Sequence, residues 1–161
     1  QEVYRWVQEG RVDMCFASRQ ESVALDWTPL RDDELFAILP PDYDNGGRTV
    51  FPVQDFSGRE FIMPSMGFNL DIMRVLNRHG VLPLIRTTQV SDSVIISMVE
   101  HGLGVSMLSQ LVLQGRQDDV QALPLEPRAV RELGIASRPR RELRPAVRSF
   151  ITEAREMIEK M

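Results

Sequence analysis

Ser91-Asp92-Ser93-Val94-Ile95-Ile96-Ser97-Met98-Val99-Glu100-His101-Gly102-Leu103-Gly104-Val105-Ser106-Met107-Leu108 carries the strongest fold signal in the chain. Ser91 to Ser93 offer side-chain oxygens for a helix N-cap. Val94, Ile95, Met98 and Val99 follow at i, i+1, i+4 and i+5, one face of a helical period. Gly102 stands just past the last periodic residue, where a C-cap favours a left-handed backbone. Leu103 to Leu108 then reads as a strand, with Gly104 where two backbones approach closely. A capped helix that passes at once into an apolar strand predicts an α/β protein.

The neighbouring segments repeat this alternation. Upstream, Leu84 to Val90 reads as a strand. Leu70, Met73 and Leu76, with Ile72 and Val75 beside them, form a helical stripe that closes at Gly80. Phe61-Ile62-Met63 is a short strand leading into Pro64-Ser65-Met66-Gly67-Phe68-Asn69, and Leu35 to Leu39 is another, ended by Pro40-Pro41. Arg19 to Pro29 reads as a polar loop. Val12 to Ala17 is a nearly continuous apolar run, the pattern of a parallel strand buried on both faces. Val3, Tyr4, Trp6 and Val7 begin a helix that stops at Gly10.

Downstream, Ser109 to Leu113 is a short helix, and Val120 to Leu125 and Leu133 to Ala136 are strands separated by Pro124 and Pro127. Pro145 opens a final helix with Val147, Phe150, Ile151, Ala154 and Ile158 on one face. The two proline-marked stretches read as crossings between lobes. Residues 1–40 with 128–161 are expected to form lobe I, and 41–127 a lobe II inserted within it. The strand that should precede the first helix is absent from this sequence.

Composition narrows the function classes. The 161 residues are 43% hydrophobic and 26% charged, with net charge −4, which does not suit a nucleic-acid-binding surface. Arg128 to Arg148 is arginine-rich, but Glu132 and Glu142 interrupt it, so it reads as a solvated face or a protein interface. A lone Cys15 makes no intramolecular disulfide or zinc motif and fits a reducing, cytoplasmic setting. No apolar run approaches the roughly 20 residues that span a bilayer, so no membrane partner is expected. His79 and His101 form no HxxxH pair, and no metal site is expected. Gly102-Leu103-Gly104 has Met107 where a dinucleotide fingerprint needs glycine, and Ser65-Met66-Gly67 has Met63 where a nucleophile elbow needs glycine. With no catalytic constellation and no cofactor motif, the chain reads as a binding module and not an enzyme.

The order of these pieces resembles the effector-binding domain of LysR-type transcriptional regulators. Trp6-Val7-Gln8-Glu9-Gly10-Arg11-Val12-Asp13-Met14 is similar to the family's "L-x-x-G-x-L-D-hydrophobic" segment, and Leu30 through Pro41 to its strand into the hinge. Ser97 through Leu108 is similar to the "V-A-x-G-x-G-V-x-x-L-P" signature, with Ser109 where the family has proline. Arg138 through Ile151 resembles the closing "R…P-A-V-x-x-F-I" helix. The resemblance implies a type 2 periplasmic-binding-protein-like fold: two Rossmann-like lobes joined by two crossover strands, here without the first strand of lobe I. It also implies a small-molecule effector in the cleft between lobes, homodimers or homotetramers, and DNA contact only through a winged helix-turn-helix that is not in this sequence.

Small anions favour strand carboxyl ends and helix N-termini, where free N–H groups and the helix dipole attract negative charge. On that basis Ser65, Met66, Gly67 and Phe68 are the first candidates for ligand contact, followed by Ser18 after the first-lobe strand and by Gln89 and Ser91 ahead of the best-marked helix. Capping of their own helices is the competing role for Ser65 and Ser91. Met63, Met66, Met73, Met98 and Met107 fit either an adaptable pocket lining or core packing. A solute receptor or an enzyme on the same fold are the alternative functions.

Overall fold

The computed structural model describes residues 2–20, 23–64, 69–116 and 119–160, and for 87–90 the backbone course. By its internal contacts the chain divides into a terminal unit, Gln1–Asp32 with Arg131–Met161, and a central unit, Asp33–Val130. The first division falls inside one long strand, upstream of Pro40.

In the terminal unit, helix α1 (Glu2–Gln8) buries Tyr4 and Val7 and leads to strand β1 (Met14–Ser18). The Tyr4 hydroxyl donates to the Ser18 carbonyl at 2.5 Å and ties the helix to the strand's end. β1 is antiparallel to β8 (Val130–Ser137), in register from Met14↔Ser137 to Ser18↔Leu133, and β8 is followed in strand order by β2 (Asp26–Leu39). The pairing with β8 is thus antiparallel and not the parallel one expected, and Phe16 is 58% exposed.

The predicted polar loop is also shorter than expected, because β2 starts at Asp26. Its first residues pair despite their polarity, and Pro29 lies on the exposed side. Next to them, Gly134 has no room for a side chain: a Cβ there would lie 2.5 Å from the Trp27 ring and the Thr28 carbonyl. Helix α5 (Pro145–Glu159) closes the unit. Val147, Ile151 and Ala154 pack with Ile135, Leu143, Met14 and Leu30. Phe150, expected in this stripe, is instead 46% exposed and meets Phe16 edge to face, with centroids 6.3 Å apart. Asp13 accepts from Arg144 at the start of α5 and from Arg138 after β8. These bonds, chiefly that from Arg144, hold its carboxyl below the usual aspartate range.

In the central unit, the second part of β2 is flanked on both sides. Leu35 to Ile38 run antiparallel to β6 (Ser106–Ser109), and Phe36 to Leu39 antiparallel to β7 (Gln121–Glu126), which pairs in parallel with the short β3 (Phe51–Pro52). A strand enclosed this way demands apolar side chains on both faces, and Leu35, Ala37, Ile38 and Leu39 are all fully buried. β4 (Glu60–Pro64) is parallel to β5 (Leu84–Val90) on one side and bridges in parallel to Val105 on the other.

Alternation along these strands feeds two core clusters. Phe61, Met63, Met107 and Leu39 pack with Ile72 and Leu76 of α2 (Asn69–Arg78). Ile62, Leu108 and Ile38 pack with Ile95, Ile96 and Val99 of α3 (Asp92–Glu100). Helix, sheet and helix are thus layered as in a doubly wound fold. The α2 side is enlarged by a stack absent from the sequence reading: Phe51, Phe56 of the 3-10 turn Val53–Phe56, and Phe61, with centroids 4.7 and 5.3 Å apart. Aromatic pairs of this kind add about 0.5–1.5 kcal/mol beyond the area they bury.

Gly104 makes the β4 pairing possible. A Cβ there would lie 2.7 Å from the Glu60 carbonyl oxygen, which accepts the Val105 amide at 2.9 Å. Gly104→Ala is therefore expected to lower unfolding stability by about 1–3 kcal/mol, the usual range for overpacking, measured as a lower denaturant midpoint. An unchanged midpoint would mean that β4 can move away freely. Asp13→Asn is expected to lower Tm at neutral pH. Because folding lowers the Asp13 pKa, its contribution is present above the unfolded value and lost as pH falls through the folded value. The Tm difference between variant and parent should therefore shrink in acid, and a pH-independent difference would exclude this role.

Candidate functional site

β4 and β5 are parallel, with Pro64 opposite Val90 at their carboxyl ends. After β4 come residues 65–68 and then the start of α2. After β5 come Ser91 and the start of α3. The strand through Val105 and β6, on the other side of β4, ends at Ser109 and the short helix α4 (Gln110–Leu113). Three helix N-termini thus follow three strand carboxyl ends in this one unit.

They differ in what already satisfies them. At α4 the buried Asp33 carboxylate accepts the Leu111 amide at 3.1 Å, so that terminus has an internal anion. At α3, Ser91 holds the extended N-cap backbone conformation and its carbonyl accepts the Ile95 amide, but its hydroxyl makes no capping bond. The Ser91 hydroxyl is exposed and lies 3.2 Å from that of Ser93. Capping by the Ser91 side chain, one of its two expected roles, is therefore not made here. At the opposite end of the same strands, Arg86 forks onto Glu60, bracing β5 to β4 and holding the Glu60 carboxyl below its ordinary range.

Ser65, Met66, Gly67 and Phe68 lie outside the described residues, as does the side chain of Gln89. What the structure brings together is their immediate neighbours, Pro64 with Val90. Ser18, in the terminal unit, closes β1 beside a pocket of about 380 Å³ lined by Phe16, Leu30, Arg31, Arg131, Leu133 and Ile158, among others. Its hydroxyl is buried and has no hydrogen-bond partner among the described residues. Of the five methionines named as candidate lining, Met63 and Met107 are core residues.

The sequence reading passed over Asp71. It sits in the first turn of α2 within an apolar stripe and is 3% exposed. One carboxylate oxygen accepts from Arg74 at 3.0 Å, and the other is buried without a partner among the described residues. An acidic residue in a first turn is a visible signal, but only burial separates this one from an ordinary dipole-compensating aspartate. Among the described residues, no group of His, Cys, Asp and Glu is arranged to hold a metal ion, and no helix is long and apolar enough to cross a membrane.

Comparison with known proteins agrees with this architecture. The HTH-type transcriptional regulator YybE of Bacillus subtilis is 24% identical over 147 residues, 89% of this chain and 50% of the relative. YnfL, an HTH-type regulator of Escherichia coli, is 26% identical over 149 residues, 88% of this chain and 50% of the relative. The chain thus spans about half the length of these curated relatives. Among solved structures, the regulatory domain of Synechocystis PCC6803 CcmR in complex with 2-PG superposes with TM-score 0.84 at 22% identity, covering 99% of this chain and 80% of that one. The effector-binding domain of QuiR in complex with shikimate gives 0.83 at 19% identity, covering 99% and 78%. At such identities the structures speak for the fold, a type 2 periplasmic-binding-protein-like one. The LysR substrate binding domain model matches residues 1–159, and the chain belongs to that family.

Proposed function

We propose that this chain is the effector-sensing part of a LysR-type transcriptional regulator and that its effector is a small hydroxylated anion. The observation that carries this reading is the α3 N-terminus, which follows a parallel-strand carboxyl end, Val90 opposite Pro64, without a side-chain cap from Ser91. Free amides there suit a carboxylate or phosphate. Ser91, Gln89 and Ser65 to Phe68 supply the contacts, and Gly67 allows the ligand close approach. The buried Asp71 oxygen, unpartnered among the described residues, and the first-turn Asp92 suit hydroxyl donors on the same ligand. In the terminal unit the Ser18 hydroxyl, without a partner among the described residues, is a polar group available to a ligand. Two structural neighbours hold 2-PG and shikimate, small anionic ligands, which supports this ligand class.

On this reading the chain works by binding, without catalysis or cofactor, in the cytoplasm. The two units correspond to the two lobes. DNA is reached through a helix-turn-helix elsewhere in the parent protein, as the names of the curated relatives suggest. Binding acts through a difference in affinity for two states of the regulator.

A thermal-shift series of small hydroxy acids and phosphate esters, beginning with 2-PG and shikimate, tests the site. A ligand at 100 times its Kd stabilises by about 2.7 kcal/mol, a rise of roughly 5–10 °C for a domain of this size. Gly67→Trp is expected to abolish that rise while the unliganded Tm stays near that of the parent. Ser91→Ala is expected to reduce it with little effect on unliganded Tm, since no capping bond is lost. A full rise in Gly67→Trp would remove the 65–68 segment from the site. The regulator is also expected to assemble as a homodimer or homotetramer; light scattering that shows only monomers at high concentration would contradict this.

A further inference from the structure

The terminal unit carries a second concavity, at the start of α5 and apart from the residues assigned above. It is a hollow of about 210 Å³ lined by Asp26, Trp27, Arg140, Leu143, Arg148 and Ile151, with the Thr28 and Ser137 side chains beside them. Leu143, Ile151 and Ser137 are buried, and Trp27 is fixed against Gly134 and by donation from its indole N–H to Glu132. The hollow therefore has a mixed lining, in which Trp27, Leu143 and Ile151 form the apolar, well-braced part.

Its rim is cationic. Arg140 and Arg148 line both this hollow and a shallow outer groove, in which Arg141, Ser149 and Thr152 follow and Glu153 lies at the side. Among the described residues, neither guanidinium has a side-chain hydrogen bond or ion pair. The neighbouring arginines do: Arg138 and Arg144 bind Asp13, and Arg141 lies 3.9 Å from Glu142. The carboxylate in the hollow, Asp26, accepts the Arg140 backbone amide at 2.9 Å. Two guanidiniums thus face one carboxylate, and the hollow is net positive.

The helix adds to this. α5 runs for 15 residues, its N-cap Arg144 makes no side-chain capping bond, and its first turn contains no acidic residue. Cations at a helix N-terminus oppose the dipole. An anion lodged between Arg140 and Arg148 would offset both sources of positive potential.

We propose that this hollow binds a small organic carboxylate, with the carboxylate on Arg140 and Arg148 and a compact apolar body against Trp27, Leu143 and Ile151. At the roughly 30 Å³ that a water molecule occupies in the liquid, the volume holds about seven non-hydrogen atoms. That size matches a short branched acid. A nucleic-acid backbone suits it less, because Glu153 lines the outer groove and the hollow offers Trp27, Leu143 and Ile151 as apolar contacts.

The chain has two tryptophans, Trp6 and Trp27, so indole N–H resonances report the hollow directly. The probe is 3-methylbutanoate, compared with its neutral amide at constant ionic strength. The acid is expected to shift the Trp27 indole signal saturably, with Kd on the order of 1 mM, and the amide to bind at least tenfold more weakly. Arg140→Gln and Arg148→Gln should each weaken the acid about tenfold. Arg31→Gln, in the pocket beside Ser18, and Gly67→Trp should leave it unchanged. Equal responses to acid and amide in the unaltered chain would overturn the proposal without any variant having to fold. Undiminished binding in both arginine variants would also overturn it, as would loss of the Trp27 response in Gly67→Trp.

Discussion

The close approach of the Gly104 to Ser106 backbone to β4 is the constraint on which the central unit depends. Two backbone hydrogen bonds of 2.9 Å, from Val105 N–H to the Glu60 carbonyl and from Ile62 N–H to the Val105 carbonyl, join these segments, and the buried Ser106 hydroxyl donates to the Ile62 carbonyl at 2.7 Å. Because no side chain fits at position 104, β4 lies in hydrogen-bonding reach of Val105 on one side and β5 on the other. Its alternating residues then serve two helices, and its carboxyl end sits among three helix starts.

The same geometry sorts those starts by chemistry. α4 receives the buried Asp33, an acceptor contributed by a strand 78 residues away in sequence. α3 receives backbone conformation but no side-chain bond from its N-cap residue, and α2 begins with a buried carboxylate that is only half satisfied among the described residues. A buried polar atom without a partner is uncommon in a native protein and marks a place where a ligand or water would restore balance. The terminal unit shows a different economy: a small core, held at its edges by Asp13 and by the Tyr4 hydroxyl, with arginines gathered at one end of α5.

Much of the fold was legible in local pattern. Leu84 to Val90 is a strand over the expected residues, and the α3 helix, its glycine stop and the Pro145 helix start lie where periodicity and capping chemistry place them. The errors have a common cause. Asp26 to Pro29 reads as loop from sequence because strand pairing can hold polar residues and an outward proline that intrinsic preference disfavours. Phe150 was assigned to the core because it is on the edge of an apolar stripe, whose width depends on what packs against it.

The site divides in the same way. By itself the sequence determined the order of strands and helices, the glycine and proline breaks between them, the absence of a zinc-motif or nucleotide-loop pattern, and the family signatures. All of these are set by residues close together along the chain. Only the tertiary structure decided that Pro64 and Val90 end side by side, that Asp33 caps α4, that the Ser91 hydroxyl leaves α3 uncapped, and that Arg140 and Arg148 share a hollow with Trp27. Those facts depend on which distant groups share a shell of a few ångströms, and hydrogen bonding, burial and net local charge are properties of that shell.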